Sequence, residues 1–199
     1  MKSLIILNEI VNELIEGTLE IPTIPNTKNF WHGGNLDTYD SIITQKNGRY
    51  EYGAGLYCTT HYDTAKKYAK GSRKLYLVSI EEGNDINDMY LELDKIKSFI
   101  MQYVSSSKRN EIYDIIKSHV KDNKVKAFIF NNVLINHKVL KPVNTVHLRD
   151  FLIQNNIDYE LVDNPFGWGE TMIVLYNMNK IKNVIRVNPK DKIEIYNLT

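Results

Sequence analysis

The 199-residue chain has one cysteine, five prolines, almost no net charge and no long apolar run. A lone Cys58 excludes an internal disulfide, so stability must come from a buried core, and the chain reads as suited to the cytoplasm. The apolar run Leu4 to Leu7 is cut by Asn8 and Glu9, too early for the hydrophobic region of a signal peptide. No segment approaches the roughly 18 apolar residues of a membrane span. A formal net charge of +1 supplies no global field that would draw the chain to nucleic acid or to an anionic membrane. His32, His61, His119, His137 and His147 show no His-Glu-x-x-His or cysteine-rich spacing, so no metal site is expected. Gly53-x-Gly55 lacks a third glycine and a βαβ setting, which excludes a Rossmann dinucleotide fold.

What is present is the composition of one folded domain covering residues 1–199, with tyrosine as the main aromatic. Ile6, Ile10, Val11, Leu14 and Ile15 fall at helical spacing and predict an amphipathic helix over 3–16, closed by Gly17. Phe30 to His32 reads as a short buried strand ending in two glycines, and 35–52 as loop with a turn of helix. Lys74 to Ile80 reads as a strand. Residues 89–122 switch to a 3.6-residue period, predicting two helices broken at Ser105-Ser106-Ser107. Val125 to Ile135 is apolar without a period and stays open between strand and helix. Thr145 to Ile153 reads as a helix capped by Asn144 or Thr145. Strands follow at Tyr159 to Val162, Thr171 to Tyr176, within 178–187, and within Lys192 to Tyr196. The class is α+β, with helices flanking antiparallel sheet.

The most informative stretch runs from Gly53 through Gly55-Leu56-Tyr57-Cys58 to Asp63-Thr64-Ala65-Lys66-Lys67-Tyr68-Ala69. Two glycines around one small residue permit a tight turn or a close approach to a ligand. Thr60 or Asp63 is the expected N-cap of the helix that follows. Tyr57 on a strand and Tyr68 on that helix, eleven residues apart, can bring two rings to one cleft. Before it stands Trp31-His32-Gly33-Gly34, and after it Gly167-Trp168-Gly169-Glu170, leading into Val174-Leu175-Tyr176-Asn177. Alone, His32 reads as a structural histidine, Tyr57 and Tyr68 as core aromatics, and Glu170 as a solvated strand-end carboxylate. Their order along the chain carries the sharper reading.

In that order the chain resembles the ADP-ribosyltransferase superfamily, in the His-Tyr-Glu branch of diphtheria-toxin-like and poly-ADP-ribose-polymerase-like enzymes. The resemblance runs over about 32–185 and is strongest in the first two motifs. It implies split antiparallel β-sheets with flanking helices and, here, a helical insertion at approximately 85–124. It also implies that NAD is the co-substrate. His32 would hold the adenosine ribose, the Gly33 backbone the nicotinamide carboxamide, and Tyr57 and Tyr68 the faces of the nicotinamide ring, with Gly55 beside it. Flat aromatic faces suit a flat cationic ring, at roughly 0.5–2 kcal/mol per contact. Glu170 is the implied catalytic carboxylate, offsetting the charge of an oxocarbenium-like transition state. Registering the strand on Ile173 to Asn177 puts Met172 at the family's usual glutamate position, with Glu170 two residues earlier on the same face. A bulge near Gly169 would bring Glu170 into place.

The implied activity is transfer of ADP-ribose from NAD to a macromolecular acceptor, protein or nucleic acid, as in a toxin or phage effector acting in the cytoplasm, with no membrane partner and no metal. Two alternatives share the fold. One is an RNA 2′-phosphotransferase, which also consumes NAD and would need basic residues such as Arg49 and Arg73 beside the cleft. The other is a catalytically silent module that binds ADP-ribose or a partner.

Overall fold

The computed structural model describes residues 18–36, 52–70, 74–140, 144–165, 167, 169–187 and 193–198. The helix expected over 3–16, most of the loop expected at 35–52, Trp168, Arg49 and Arg73 lie outside them.

Among the described residues eight strands and five α-helices follow in chain order: β1 (Thr27–Gly33), β2 (Leu56–Thr59), α1 (Tyr62–Tyr68), β3 (Leu75–Glu81), β4 (Tyr90–Glu92), α2 (Leu93–Tyr103), α3 (Arg109–Lys117), β5 (Lys124–Lys126), α4 (Ala127–Asn136), α5 (Thr145–Gln154), β6 (Tyr159–Asp163), β7 (Thr171–Leu175) and β8 (Ile181–Arg186). Six strands form one sheet in the order β6-β7-β2-β1-β3-β8, and β4 with β5 forms a separate ribbon. Every paired strand is antiparallel. The α+β class expected from the sequence is the class observed.

The sheet is held unevenly. β1 pairs with β3 along the whole of Thr27–Gly33, and β2 pairs with β7 along Leu56–Thr59. Between β1 and β2 the ladder is a single registered pair, Trp31 with Thr59. The sheet is therefore two three-stranded halves joined at one rung, with a seam running past His32 on one side and Tyr57 on the other.

Strand alternation decides what covers each face. Phe30, Leu56, Cys58, Tyr76, Val78, Ile173 and Leu175 meet on one face in a core that spans both halves. On the other face the core is divided. Trp31, Leu75 and Leu77 pack under Ala65 of α1 and Ala69 just past its end. Val174 and Tyr176 pack instead under the helical region, against residues such as Phe99, Phe130 and Leu152. β3 is buried on both faces, which is why its residues run apolar without alternation.

Over 85–124, where the resemblance implies a helical insertion, the chain forms β4, α2, α3 and the start of β5, and the helical stretch between β3 and β6 continues through α4 and α5. The ambiguous run Val125 to Ile135 divides into the short β5 and α4. α4 buries Ala127, Phe130, Asn131 and Leu134, and its remaining apolar side chains also pack on the core. Only Asn132 and Asn136 stand on its outer side, too few to mark a period in the sequence.

Two details differ from expectation. α1 has His61 at its N-cap position, with no side-chain cap. Thr60 lies one residue before that position and its Oγ1 accepts instead the backbone N–H of Thr171 at 3.0 Å, while Asp63 sits inside the first turn. The strand expected within 192–196 is instead a strap over α1, bridged through Asn197 to His61. Tyr62 N donates to Tyr196 O, Leu198 N to Thr60 O, and Trp31 Nε1 to Tyr196 O at 3.0 Å.

Candidate functional site

At the seam the His32 side chain, in place of a second backbone rung, links the two halves. Its Nδ1 is 2.8 Å from the main-chain oxygen of Tyr57. A carbonyl can only accept, so Nδ1 carries the proton and Nε2 is left as an acceptor. Burial lowers the His32 pKa, which keeps the ring neutral and that lone pair in place. Nε2 is itself buried and has no hydrogen-bond partner among the described residues. A buried acceptor without a donor costs about 1–3 kcal/mol, so a donor from a ligand or from water that reached Nε2 would be stabilised there.

Tyr57, on the facing strand, is half-buried. Its hydroxyl donates to Gly53 O at 2.7 Å and accepts from Tyr52 N at 3.2 Å. Gly53 has φ +94°, a conformation that favours glycine, and this turns the chain so that the 52–53 backbone meets the ring's far end. Tyr57 is thereby fixed at both ends.

Thr59 lies two residues along β2 on the same face, about 7 Å away by strand rise. Its hydroxyl donates to Glu170 Oε1 and accepts from His61 N at 3.0 Å. Thr64, from the first turn of α1, donates to Glu170 Oε2 at 3.1 Å. Glu170 is only 1% exposed, and two threonines from two elements fix the plane of its carboxyl group. The turn that delivers it contains Asn164 at φ +51°, Gly167 at +80° and Gly169 at +70°. Asn164 Oδ1 accepts from Gly169 N at 2.8 Å. β7 begins directly after, and Met172, opposite Thr59, packs against the helical core. The carboxylate at this corner is thus Glu170, with Met172 beside it as a core residue.

Of the expected site residues, the structure brings His32 to Tyr57 across the seam and sets Glu170 further along β2 from Tyr57. Tyr68 stands at the outer end of α1 and is 68% exposed. The glycines serve packing. A Cβ on Gly33 would fall 1.8 Å from the main-chain oxygen of Ala65, so the bare Cα there lets α1 lie flush on β1. A Cβ on Gly55 would meet Val174 Cγ1 at 2.8 Å and Leu175 O at 2.9 Å, so Gly55 is pressed against β7. Gly34 is the glycine beside the imidazole: a Cβ there would stand 3.1 Å from His32 Nε2.

Thr59 and Thr64 were not legible as site residues, since threonine is an ordinary strand and helix-start residue. A second group lies behind Tyr57: Glu160 on β6, Tyr176 after β7 and Asn131 on α4, all buried. Asn131, one of two adjacent amides in the apolar run Val125 to Ile135, is the buried one that the group uses. Cys58 faces the shared core, and burial pushes its thiol pKa up, so it is an inert core residue. Among the described residues no three His, Cys, Asp or Glu side chains gather as metal ligands, and no helix is long and apolar enough to cross a membrane. A pocket of about 210 Å³ between Lys28, Glu81, Tyr159 and Leu161 shares no residue with the seam. Comparison of the chain with protein-family models, with curated proteins and with solved structures gives no match, so the site is read from its own geometry.

Proposed function

We propose that this protein is an NAD-dependent ADP-ribosyltransferase that modifies a macromolecular acceptor. The observation that carries the reading is the buried, neutral His32 with a partnerless Nε2 acceptor in the seam next to Tyr57. A sugar hydroxyl supplies the donor such an acceptor lacks. The seam between the two half-sheets also supports the split-sheet architecture that the family resemblance implies.

In this reading His32 Nε2 accepts from a ribose hydroxyl of NAD. Tyr57, immobilised through its hydroxyl, offers a ring face to nicotinamide, and Tyr68 offers the second. The ribose–nicotinamide bond breaks, its electron pair leaves with nicotinamide, and the acceptor's nucleophile takes the vacated carbon. Glu170, held by Thr59 and Thr64, offsets the positive charge that develops on the ribose. A carboxylate fixed beforehand by two hydroxyls needs little reorganisation during the reaction, which is what electrostatic catalysis requires.

One observation favours a second reading, a module that binds ADP-ribose without turnover. Glu170 is almost fully buried and both its oxygens are engaged. Incubation with lysate and NAD labelled in its adenosine part separates the two. Label on protein or nucleic acid, with nicotinamide released, supports the transferase. Saturable NAD binding with neither outcome selects the binding module, and the absence of binding removes both.

A further inference from the structure

We propose that Glu160 is a positioning residue for the cleft, acting through Tyr176 and Asn131 on the Tyr52–Gly53 backbone that holds the Tyr57 hydroxyl. The inference rests on the reading of Tyr57 as a cleft wall. Glu160 Oε2 accepts from Tyr176 Oη at 2.8 Å and from Asn131 Nδ2 at 3.2 Å. The same two donors reach the carbonyl of Tyr52: Asn131 Nδ2 at 3.3 Å and Tyr176 Oη at 3.4 Å. Tyr52 N in turn donates to Tyr57 Oη, and Tyr57 Oη donates to Gly53 O. A continuous polar path therefore runs from β6, across the end of β7 and α4, into the turn under the proposed nicotinamide wall.

Tyr176 has one hydroxyl proton and two acceptors in reach. With Glu160 ionised, that proton belongs to the carboxylate, the shorter and charge-assisted contact. With Glu160 protonated, the carboxylic acid can donate to Tyr176 Oη, and the phenol proton turns to the Tyr52 carbonyl. The turn is then held by two full donors instead of one. The groups facing Glu160 are Tyr176 past β7, Asn131 from α4 and Asp85 from the turn ahead of β4, with Tyr57 behind Tyr176. No cation lies within ion-pair distance of Glu160 among the described residues. Burial raises its pKa to about 7, with the Asp85 charge adding and the two hydrogen bonds opposing. The exchange between the two arrangements thus falls near neutral pH.

The test follows the backbone amides of Tyr52 and Gly53 by heteronuclear NMR on the full chain between pH 5.5 and 8.5, together with the dissociation constant for NAD. The wild-type Tyr52 amide is expected to titrate with a midpoint near 7. NAD binding is expected to weaken about threefold to tenfold from pH 6 to 8, the worth of one hydrogen bond. In Glu160→Gln, whose amide donates to Tyr176 permanently, the Tyr52 amide is flat and NAD binding stays at its low-pH strength. In Tyr176→Phe both are flat and binding is weak. A Tyr52 amide that is flat in the wild type, or that titrates equally in Glu160→Gln, overturns the proposal. Loss of NAD binding at every pH, with the Tyr52 titration intact, overturns the transferase reading and leaves the coupling standing.

Discussion

The imidazole of His32 reaches 2.8 Å to the main-chain oxygen of Tyr57 and so bridges two half-sheets that share only one backbone rung. Replacing His32 by Ala removes both the bridge and the free acceptor. NAD affinity is expected to fall about tenfold to a hundredfold, the worth of a buried hydrogen bond plus the donor left behind. Titration calorimetry on the folded variant checks this. The His32 pKa is lowered by burial, so the unfolded chain takes up a proton first as pH falls below the usual imidazole value. The stability contributed by the neutral ring is present above that value and is lost as pH falls through the folded pKa, which His32→Ala should abolish.

Glu170 is the group whose loss should affect rate rather than binding. Glu170→Gln keeps acceptor and volume but removes the charge, and nicotinamide release is expected to drop about a hundredfold to a thousandfold with little change in KM. Thr64→Val leaves the charge and releases one carboxylate oxygen, so its rate should fall between those of the wild type and Glu170→Gln. Steady-state kinetics on the three proteins orders them.

Gly33 is predicted to matter through packing alone. Gly33→Ala puts a methyl 1.8 Å from Ala65 O, against backbone that has no side chain to move aside. Such overpacking costs about 1–3 kcal/mol or more, and a thermal melt should show a clear drop in Tm. Tyr68→Ala, on an exposed residue, is expected to leave Tm unchanged while weakening NAD binding.

Glu160 gives a pH signature to stability. Its pKa rises from the usual 4.5 to about 7 on folding, so between those values the native state holds a proton that the unfolded chain has released. Stability therefore falls as pH rises through that window and is level above it. A shift of this size amounts to roughly 3 kcal/mol as an upper bound. Glu160→Gln should match the wild type near pH 4.5 and exceed it at pH 8, measured by denaturant midpoints at both.

What could be read from the sequence followed local pattern. β3 announced itself by branched and aromatic residues, and α2 and α3 by their 3.6-residue period. α4 did not, because it is apolar around most of its surface. The strand expected within 192–196 is instead part of the strap, since its pairing with Thr60 and Tyr62 is a long-range matter that no local pattern reveals. In the site, His32 and Tyr57 were legible as residues, but the bond between them depends on how β1 and β2 part. Thr59, Thr64 and Glu160 acquire their roles only from the strands and helix that bring them to Glu170 and to the Tyr52 turn. For Gly33, expected as a backbone contact to nicotinamide, and Gly55, expected beside the ring, the structure adds a packing requirement that no local pattern reveals: a Cβ would meet α1 at the first and β7 at the second.

The central claim is that the seam binds NAD and that Glu170 drives cleavage of its nicotinamide bond. The most direct measurement is release of free nicotinamide from NAD by the purified wild-type chain and by Glu170→Gln, side by side at saturating NAD. The account predicts steady release by the wild type and a rate about a hundredfold lower or less in the variant. Equal release by both proteins, or none by the wild type, would contradict it.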